Sequence, residues 1–247
     1  MLKRFTADLH MHTCLSPCAE LDMTPRQLVL RAKLKGLHLI AVTDHNSVEN
    51  AEAARRAARG TGLTVFPGME ITSSEEVHIL GIFEHMENAA LMQEIVYENL
   101  PPEENDERLY GHQVVVNEHD EVVGFNKRLL ITATRLSASM LVDAIQSLNG
   151  ISIASHIDKE AFSVLSQLAF IPESLRFDAI EMSPLIERNE AEETFGELKR
   201  FPWVSFSDAH FVRDIGKRFT TFTLKELTFS EIRKAFRGID GRDIGWH

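Results

Sequence analysis

Short apolar runs alternate with amphipathic stretches along most of this 247-residue chain, and that alternation constrains the fold more than any other feature. Strands separated by single helices pair in parallel, as successive βαβ units. Phe5–Leu9, Leu37–Thr43, Leu63–Phe66 and Val77–Phe83 read as strands in the first half. Ile151–Ser155, Asp178–Met182, Trp203–Ser207 and Phe219–Leu224 read as strands in the second. Thr24 followed by Pro25 opens a helix that runs to Gly36. Ser47 is expected to cap an Ala-rich helix ending at Gly60, Ser137 one ending at Asn149-Gly150, and Ser230 a closing helix through Phe236. About seven such units predict an α/β fold: a distorted (β/α)7 TIM-like barrel, in preference to an open doubly wound sheet. The prediction is a single barrel domain over residues 1–247. After a helix near Ala89–Asn99 the pattern breaks. The stretch 84–135 holds Pro101-Pro102, a run of acids and short alternating pieces at 113–116 and 121–125, so it reads as an insertion, either a lid or a separate helical subdomain.

Composition bears on partners. Acidic residues number 37 against 26 basic, a net charge of −11, which argues against a general nucleic-acid surface. It leaves room for a local basic pocket, a small anionic substrate and bound divalent cations. No apolar run of about 18 residues exists, so no membrane span is expected. The first residues turn polar too soon for a signal peptide, and Cys14 and Cys18 cannot build a disulfide framework, so the reducing cytoplasm is the expected compartment. Histidine is unusually frequent, with 11 copies.

Six motifs share one placement at predicted strand ends: Asp8-Leu9-His10-Met11-His12, Thr43-Asp44-His45-Asn46, Gly68-Met69-Glu70, Val77-His78, Ser155-His156-Ile157-Asp158 and Ser207-Asp208-Ala209-His210. In a parallel barrel the strand C-termini form one face, where catalytic groups collect. His10 and His12 are two apart, so both point to one side of an extended strand, and the same holds for Asp208 and His210. His10, His12, His45, Glu70, His78, His156, Asp208 and His210 exceed what one tetrahedral ion uses and predict two or three divalent ions, Zn, Mn or Fe, in a shared cavity. Asp8 and Asp44 stand just before ligand histidines and are expected to accept the second ring N–H. His38, His85, His112, His119 and His247 lack acidic or histidine partners at such spacing and read as ordinary structural residues.

The ordered set DLHMHT, TDHN, GMEIT, SHID and SDAH resembles the PHP family, the polymerase and histidinol phosphatase metallohydrolases, from Thr6 to about Gly216. The resemblance implies a distorted barrel and a phosphoesterase with two or three divalent ions. It also implies His10, His12, Glu70 and Asp208 around one ion, Glu70, His78 and His156 around a second, and His45 and His210 around a third with a residue from the loop after His12. That loop here reads Thr13-Cys14-Leu15-Ser16-Pro17-Cys18-Ala19-Glu20, with Pro17 where relatives often have Asp. Cys18 is the nearest replacement ligand, since a thiolate binds Zn or Fe well, and Glu20 and Asp22 are alternatives.

The expected reaction is hydrolysis of a phosphate ester, a small-molecule phosphomonoester before others. Bound cations would lower the pKa of a shared water, supply hydroxide near neutral pH and offset charge on the phosphoryl oxygens. Lys159 and Arg213 are the candidate phosphate holders, and Asp208 or His210 the candidate proton donor to the leaving group. Two other readings remain open: a nuclease or phosphodiesterase acting on single-stranded ends, and a non-catalytic metal-binding regulatory module.

Overall fold

The computed structural model describes residues 1–246, so His247 lies outside it. In chain order the elements begin β1 (Lys3–Asp8), α1 (Pro25–Leu34), β2 (Leu39–Val42), α2 (Ala51–Ala57), β3 (Thr64–Thr72) and β4 (His78–Ile82). Next come α3 (Met86–Asn99), α4 (Glu107–Tyr110), β5 (Val114–Val116), β6 (Val122–Phe125), α5 (Ala138–Ser147), β7 (Ile151–Ala154) and α6 (Val164–Leu168). The chain continues through β8 (Ala179–Met182), α7 (Arg188–Thr194), β9 (Trp203–Ser205), β10 (Thr220–Leu224), α8 (Phe229–Phe236) and β11 (Asp243–Trp246). No helix among the described residues is long and apolar enough to cross a membrane.

One sheet runs in the order β11-β10-β1-β2-β3-β4-β7-β8-β9. Its two ends approach each other. Ser205 N–H donates to Thr220 Oγ1 at 3.0 Å, and beyond β9 a parallel bridge joins Met11 to Ala209, with His12 N–H donating to Ala209 O at 3.0 Å. The sheet is therefore a nearly closed barrel. Its distortion lies in strand direction: β1, β2 and β3 are parallel, as are β7, β8 and β9, but β4 is antiparallel to both β3 and β7, and β10 is antiparallel to β1. The expectation that 77–83 begins another βαβ unit is corrected here. Only the turn 73–77 separates β3 from β4, too little for a crossover helix. That reversal sends the start of β4, His78, to the rim where the parallel strands end.

The β2 run Leu-Ile-Ala-Val is buried on both faces, which is why it reads as unbroken apolar sequence. Leu39 and Ala41 face the barrel interior with Phe66, Leu80, Ile153, Val204 and Phe222. Ile40 and Val42 face an outer layer beneath the helices with Leu28, Ala54 and Leu141. Helix α8 sends Phe229, Ile232 and Phe236 into the inner cluster, which places it as a plug on the barrel. Two expected caps are replaced. Thr228, not Ser230, caps α8 by accepting from Glu231 N, and α2 begins after Asn50 while Ser47 bonds Tyr97 and Gln93 instead. Thr24 and Ser137 cap α1 and α5 as expected.

Residues 84–135 carry α3, α4 and the β5–β6 hairpin. Val114 N–H donates to Cys14 O at 3.0 Å, and Asn50 bridges Val114 O and Val116 N at 3.0 Å each. Asn46 Nδ2 donates to Leu130 O and Thr132 O, both at 2.8 Å, tying the return segment to the turn that bears His45.

Candidate metal centre

Beyond β1 the chain stays extended, so His10 and His12 point together across the barrel rim, both fully buried. Each is held by its outer nitrogen. His10 Nδ1 lies 2.9 and 3.1 Å from the Glu181 carboxylate oxygens, which can only accept, so Nδ1 carries the proton. Ser16 Oγ–H donates to Asp44 Oδ1 at 2.6 Å, so Ser16 Oγ accepts from His12 Nδ1 at 3.0 Å. His210 Nδ1 donates to the carbonyl of Asp208 at 2.8 Å. In their neutral forms all three rings therefore turn an unprotonated Nε2 into the cleft.

Glu70 is the hub. Its carboxylate oxygens lie 3.1 Å from His78 Nδ1, 3.3 Å from His10 Nε2 and His156 Nε2, 3.4 Å from His12 Nε2 and 3.5 Å from His45 Nδ1. Asp208 Oδ1 is 3.3 Å from His10 Nε2 and 3.4 Å from His12 Nε2, while Oδ2 takes Lys159 Nζ at 2.5 Å. Burial alone would raise the Glu70 carboxyl, but His78 and His10 overcome it and hold it well below the usual carboxylate range. Asp208 behaves alike: burial raises it, and His10 and His12 pull it well below. Burial pushes His10 down, and Glu181, Asp208 and Glu70 push it well above its ordinary value. Burial and His12 depress His45 strongly and bring His210 to about 4, so both are neutral imidazoles at neutral pH.

This donor set fits divalent cations. His10 Nε2 and His12 Nε2 face each other at 3.3 Å, and with both Nδ1 atoms protonated the pair is satisfied by a shared proton or by a cation between them. Glu70 Oε1, Asp208 Oδ1, His45 Nδ1 and His78 Nδ1 are buried with no hydrogen-bond partner. Donor atoms gather within 4.8 Å of one another in three overlapping sets: His10, His12 and Asp208; His45, Glu70 and His78; and His12, Cys18, His45 and His210. His156 adjoins the second set through Glu70.

Other expected residues go elsewhere. The Asp8 carboxylate accepts from the backbone of Ser207 at 3.0 Å and Gly216 at 3.1 Å, fastening the loop after β9 rather than an imidazole, and burial raises it to about 7. Asp44 reaches His12 only through Ser16, and also accepts from Thr13 N and Oγ1 at 2.7 Å each. Arg213 is exposed and packs over Phe211, off the cleft lining, whereas Lys159 lies in it. His210, with Nδ1–H committed to a carbonyl, offers a lone pair rather than a proton. Glu181 and Ser16 carry the orientation that sequence spacing assigned to Asp8 and Asp44; the one signal for Glu181 was a charge inside the apolar run Asp178–Met182.

The cluster floors a cleft of about 860 Å³ whose walls include Ile131, Phe162, Leu185 and Phe195, with Asp158, Glu160 and Glu190 among its acids. Phe162 stacks on the His78 ring, centroids 4.5 Å apart at 14°, and its carbonyl accepts His78 N–H at 2.9 Å. His156, Asp208 and Phe162 all have positive φ, at 25°, 48° and 59°. Such backbone costs on the order of 1–3 kcal/mol per residue and persists where surroundings over-determine it.

Three proteins with matching sequence or fold bear on this site. Over 111 residues the chain is 31% identical to an uncharacterized protein of Methanocaldococcus jannaschii, covering 42% of this chain and 60% of that one. Over 99 residues it is 32% identical to a 5'-3' exoribonuclease of Haemophilus influenzae, covering 38% of this chain and 34% of the enzyme. The structure of the lesion-specific endonuclease PfuEndoQ from Pyrococcus furiosus superposes with a TM-score of 0.73 at 20% identity, over 98% of this chain and 58% of the endonuclease. The chain thus spans about 60% or less of each of these proteins, and at 20% identity the endonuclease shares the fold alone. Two of the three are nucleases by name, a different emphasis from the charge balance. The PHP domain model matches residues 8–161, from Asp8 through the His156 motif, and on that match the chain belongs to the PHP domain family.

Proposed function

We propose that this chain is a metal-dependent phosphoesterase, with His10, His12, His45, Glu70, His78, His156, Asp208 and His210 as its ligand set. The observation that carries the reading is the convergence of buried, unpartnered nitrogen and carboxylate donors on one small volume at the barrel rim. Such groups are costly to bury unless a cation compensates them. Bound divalent ions supply an activated water and neutralise charge on the phosphoryl group.

The protein's own residues do the rest. Glu181, and Asp44 through Ser16, hold the imidazoles in the tautomer that donates from Nε2. Lys159, held beside Asp208, offers its ammonium to a phosphoryl oxygen. Phe162, Leu185 and Phe195 give the far side of the cleft an apolar wall suited to a leaving group. A cleft of about 860 Å³ suits a compound of nucleotide size, so the favoured substrate is a small phosphate ester. We read residues 84–135 as an insertion framing this cleft through Ile131. The second reading, cleavage at the end of a single-stranded nucleic acid, draws support from the similarity to the exoribonuclease.

The test is turnover of a phosphomonoester panel and of an end-labelled oligonucleotide by manganese- or zinc-loaded protein. Phosphate release well above that of a His10→Ala, His12→Ala double variant is expected. Cleavage of the oligonucleotide alone selects the second reading. Retained metal with no hydrolysis of either class ends both and leaves a metal-holding regulatory module.

A further inference from the structure

The loop after His12 is fixed from two sides. Ser16 Oγ bonds Asp44 and accepts the His45 backbone N–H at 3.1 Å. Two residues beyond Cys18, Glu20 N–H donates to His210 O at 3.0 Å, and Ala19 N–H donates to Ser16 O at 3.0 Å. These bonds suspend Cys18 between the two histidines, with its thiol in the donor set that also contains His12, His45 and His210. His12 is already drawn on by His10 and Asp208. His45 is 4% exposed, and no hydrogen bond reaches its Nδ1. The tautomer of His210 leaves its Nε2 free. Cys18, His45 and His210 all line the cleft. Cys14, the other thiol, is buried, and its Sγ lies 3.7 Å from Val114 O.

We infer that Cys18, His45 and His210 form a thiolate-imidazole cation position that takes zinc(II), iron(II) or cobalt(II) in preference to manganese(II) or magnesium(II). The inference rests on the metal-loaded reading above and adds a selectivity to it. Thiolate is a soft ligand and favours the first group of ions, whereas an all-oxygen or carboxylate-rich position favours the second. On binding, the Cys18 thiol gives its proton to solvent and keeps the electron pair for the ion. Between His12 and Glu20 this loop, Thr13-Cys14-Leu15-Ser16-Pro17-Cys18-Ala19, carries no carboxylate.

Cobalt(II) titrated into the metal-free full chain tests this by absorbance. A thiolate-to-cobalt charge-transfer band in the near ultraviolet is expected, saturating with the last equivalent bound. Cys18→Ser is expected to lose the band and one equivalent of cobalt, while Cys14→Ser keeps both. Cys18→Asp should recover the lost equivalent without the band and, unlike the native chain, fill that position with manganese(II). Cobalt bound with its visible d–d bands but no charge-transfer band, or a band that survives Cys18→Ser, overturns the inference and leaves the phosphoesterase reading standing. A chain that takes up no cobalt at all overturns both.

Discussion

Glu181 shows how much of a candidate metal centre depends on a residue standing behind the donor set. It is fully buried in the middle of β8, accepts His10 Nδ1–H and also accepts the backbone N–H of His156 at 3.2 Å. One carboxylate thus orients two of the candidate ligands. Outer partners of this kind are worth about 10–100-fold in metal affinity. Glu181→Gln keeps the shape but removes the charge, so zinc affinity measured by chelator competition should fall by roughly that factor; affinity within twofold of native removes Glu181 from this role. The inward donors themselves were readable in the sequence, because two histidines two apart on a strand share a face and four of the motifs follow strand ends, whereas Glu70 lies inside β3 and His78 begins β4. Their supports were not. Asp8 is two residues from His10, but a short carboxylate bonds whatever backbone amide is nearest, here Ser207 and Gly216 from the far end of the chain. Arg213 failed for a related reason: sequence adjacency to the Asp208 motif says nothing about which way a long side chain leaves its loop. The positive φ of Phe162 has no sequence signal either, since nothing in its neighbours marks an aromatic residue forced into that region.

Elements buried on both faces announce themselves as apolar runs, so most strands of the barrel were placed within two residues, but β3 runs six residues past the expected end at Phe66. Direction is another matter. A strand such as β4 reads identically whether it pairs parallel or antiparallel, and only the shortness of the turn before it betrays the reversal. The last strand, β11, was not anticipated because Asp243–Trp246 offers only Ile244 and Trp246 as apolar signal. That edge is held instead by charge. Glu231 on α8 accepts from Arg242 Nε and Nη2 at 2.9 Å each, from Lys225 N at 2.9 Å and from Lys234 Nζ at 3.0 Å. These bonds, Arg242 first, lower its carboxyl from 4.5 to about 2. A depressed folded pKa means the unfolded chain binds the proton more readily, so the stabilisation is complete above about 4.5 and drains away as pH falls toward 2. Glu231→Gln should therefore lower the urea midpoint at pH 7 and flatten its decline between pH 5 and pH 3. Parallel native and variant curves over that interval would show that Glu231 contributes nothing to acid sensitivity.

At the scale of the whole molecule, charge gives a test between the two proposed substrate classes. The chain carries −11, and the cleft wall adds Asp158, Glu160 and Glu190 beside the candidate ligands. Lys159 supplies the cationic lining of this cleft among the described residues. In the adjoining lobe Lys217 is paired with Asp214, and Arg218 with Glu187 and the carbonyl of Pro184. A polyanion laid through this cleft would meet bound cations and one ammonium, then a field of like charge. For single strands, log K falls with log salt by about 0.7 per phosphate neutralised by protein cations. One or two such contacts predict a slope near 0.7–1.4 for an oligonucleotide end, and little gain in affinity beyond the first few nucleotides. Binding of labelled oligonucleotides of increasing length, measured across a salt series with catalysis blocked by His10→Ala, reads both quantities. A slope of about 3 or more would require several further phosphate contacts. It would place a basic track outside this cleft and make a long nucleic acid, rather than a compact phosphate ester, the substrate the protein is built to hold.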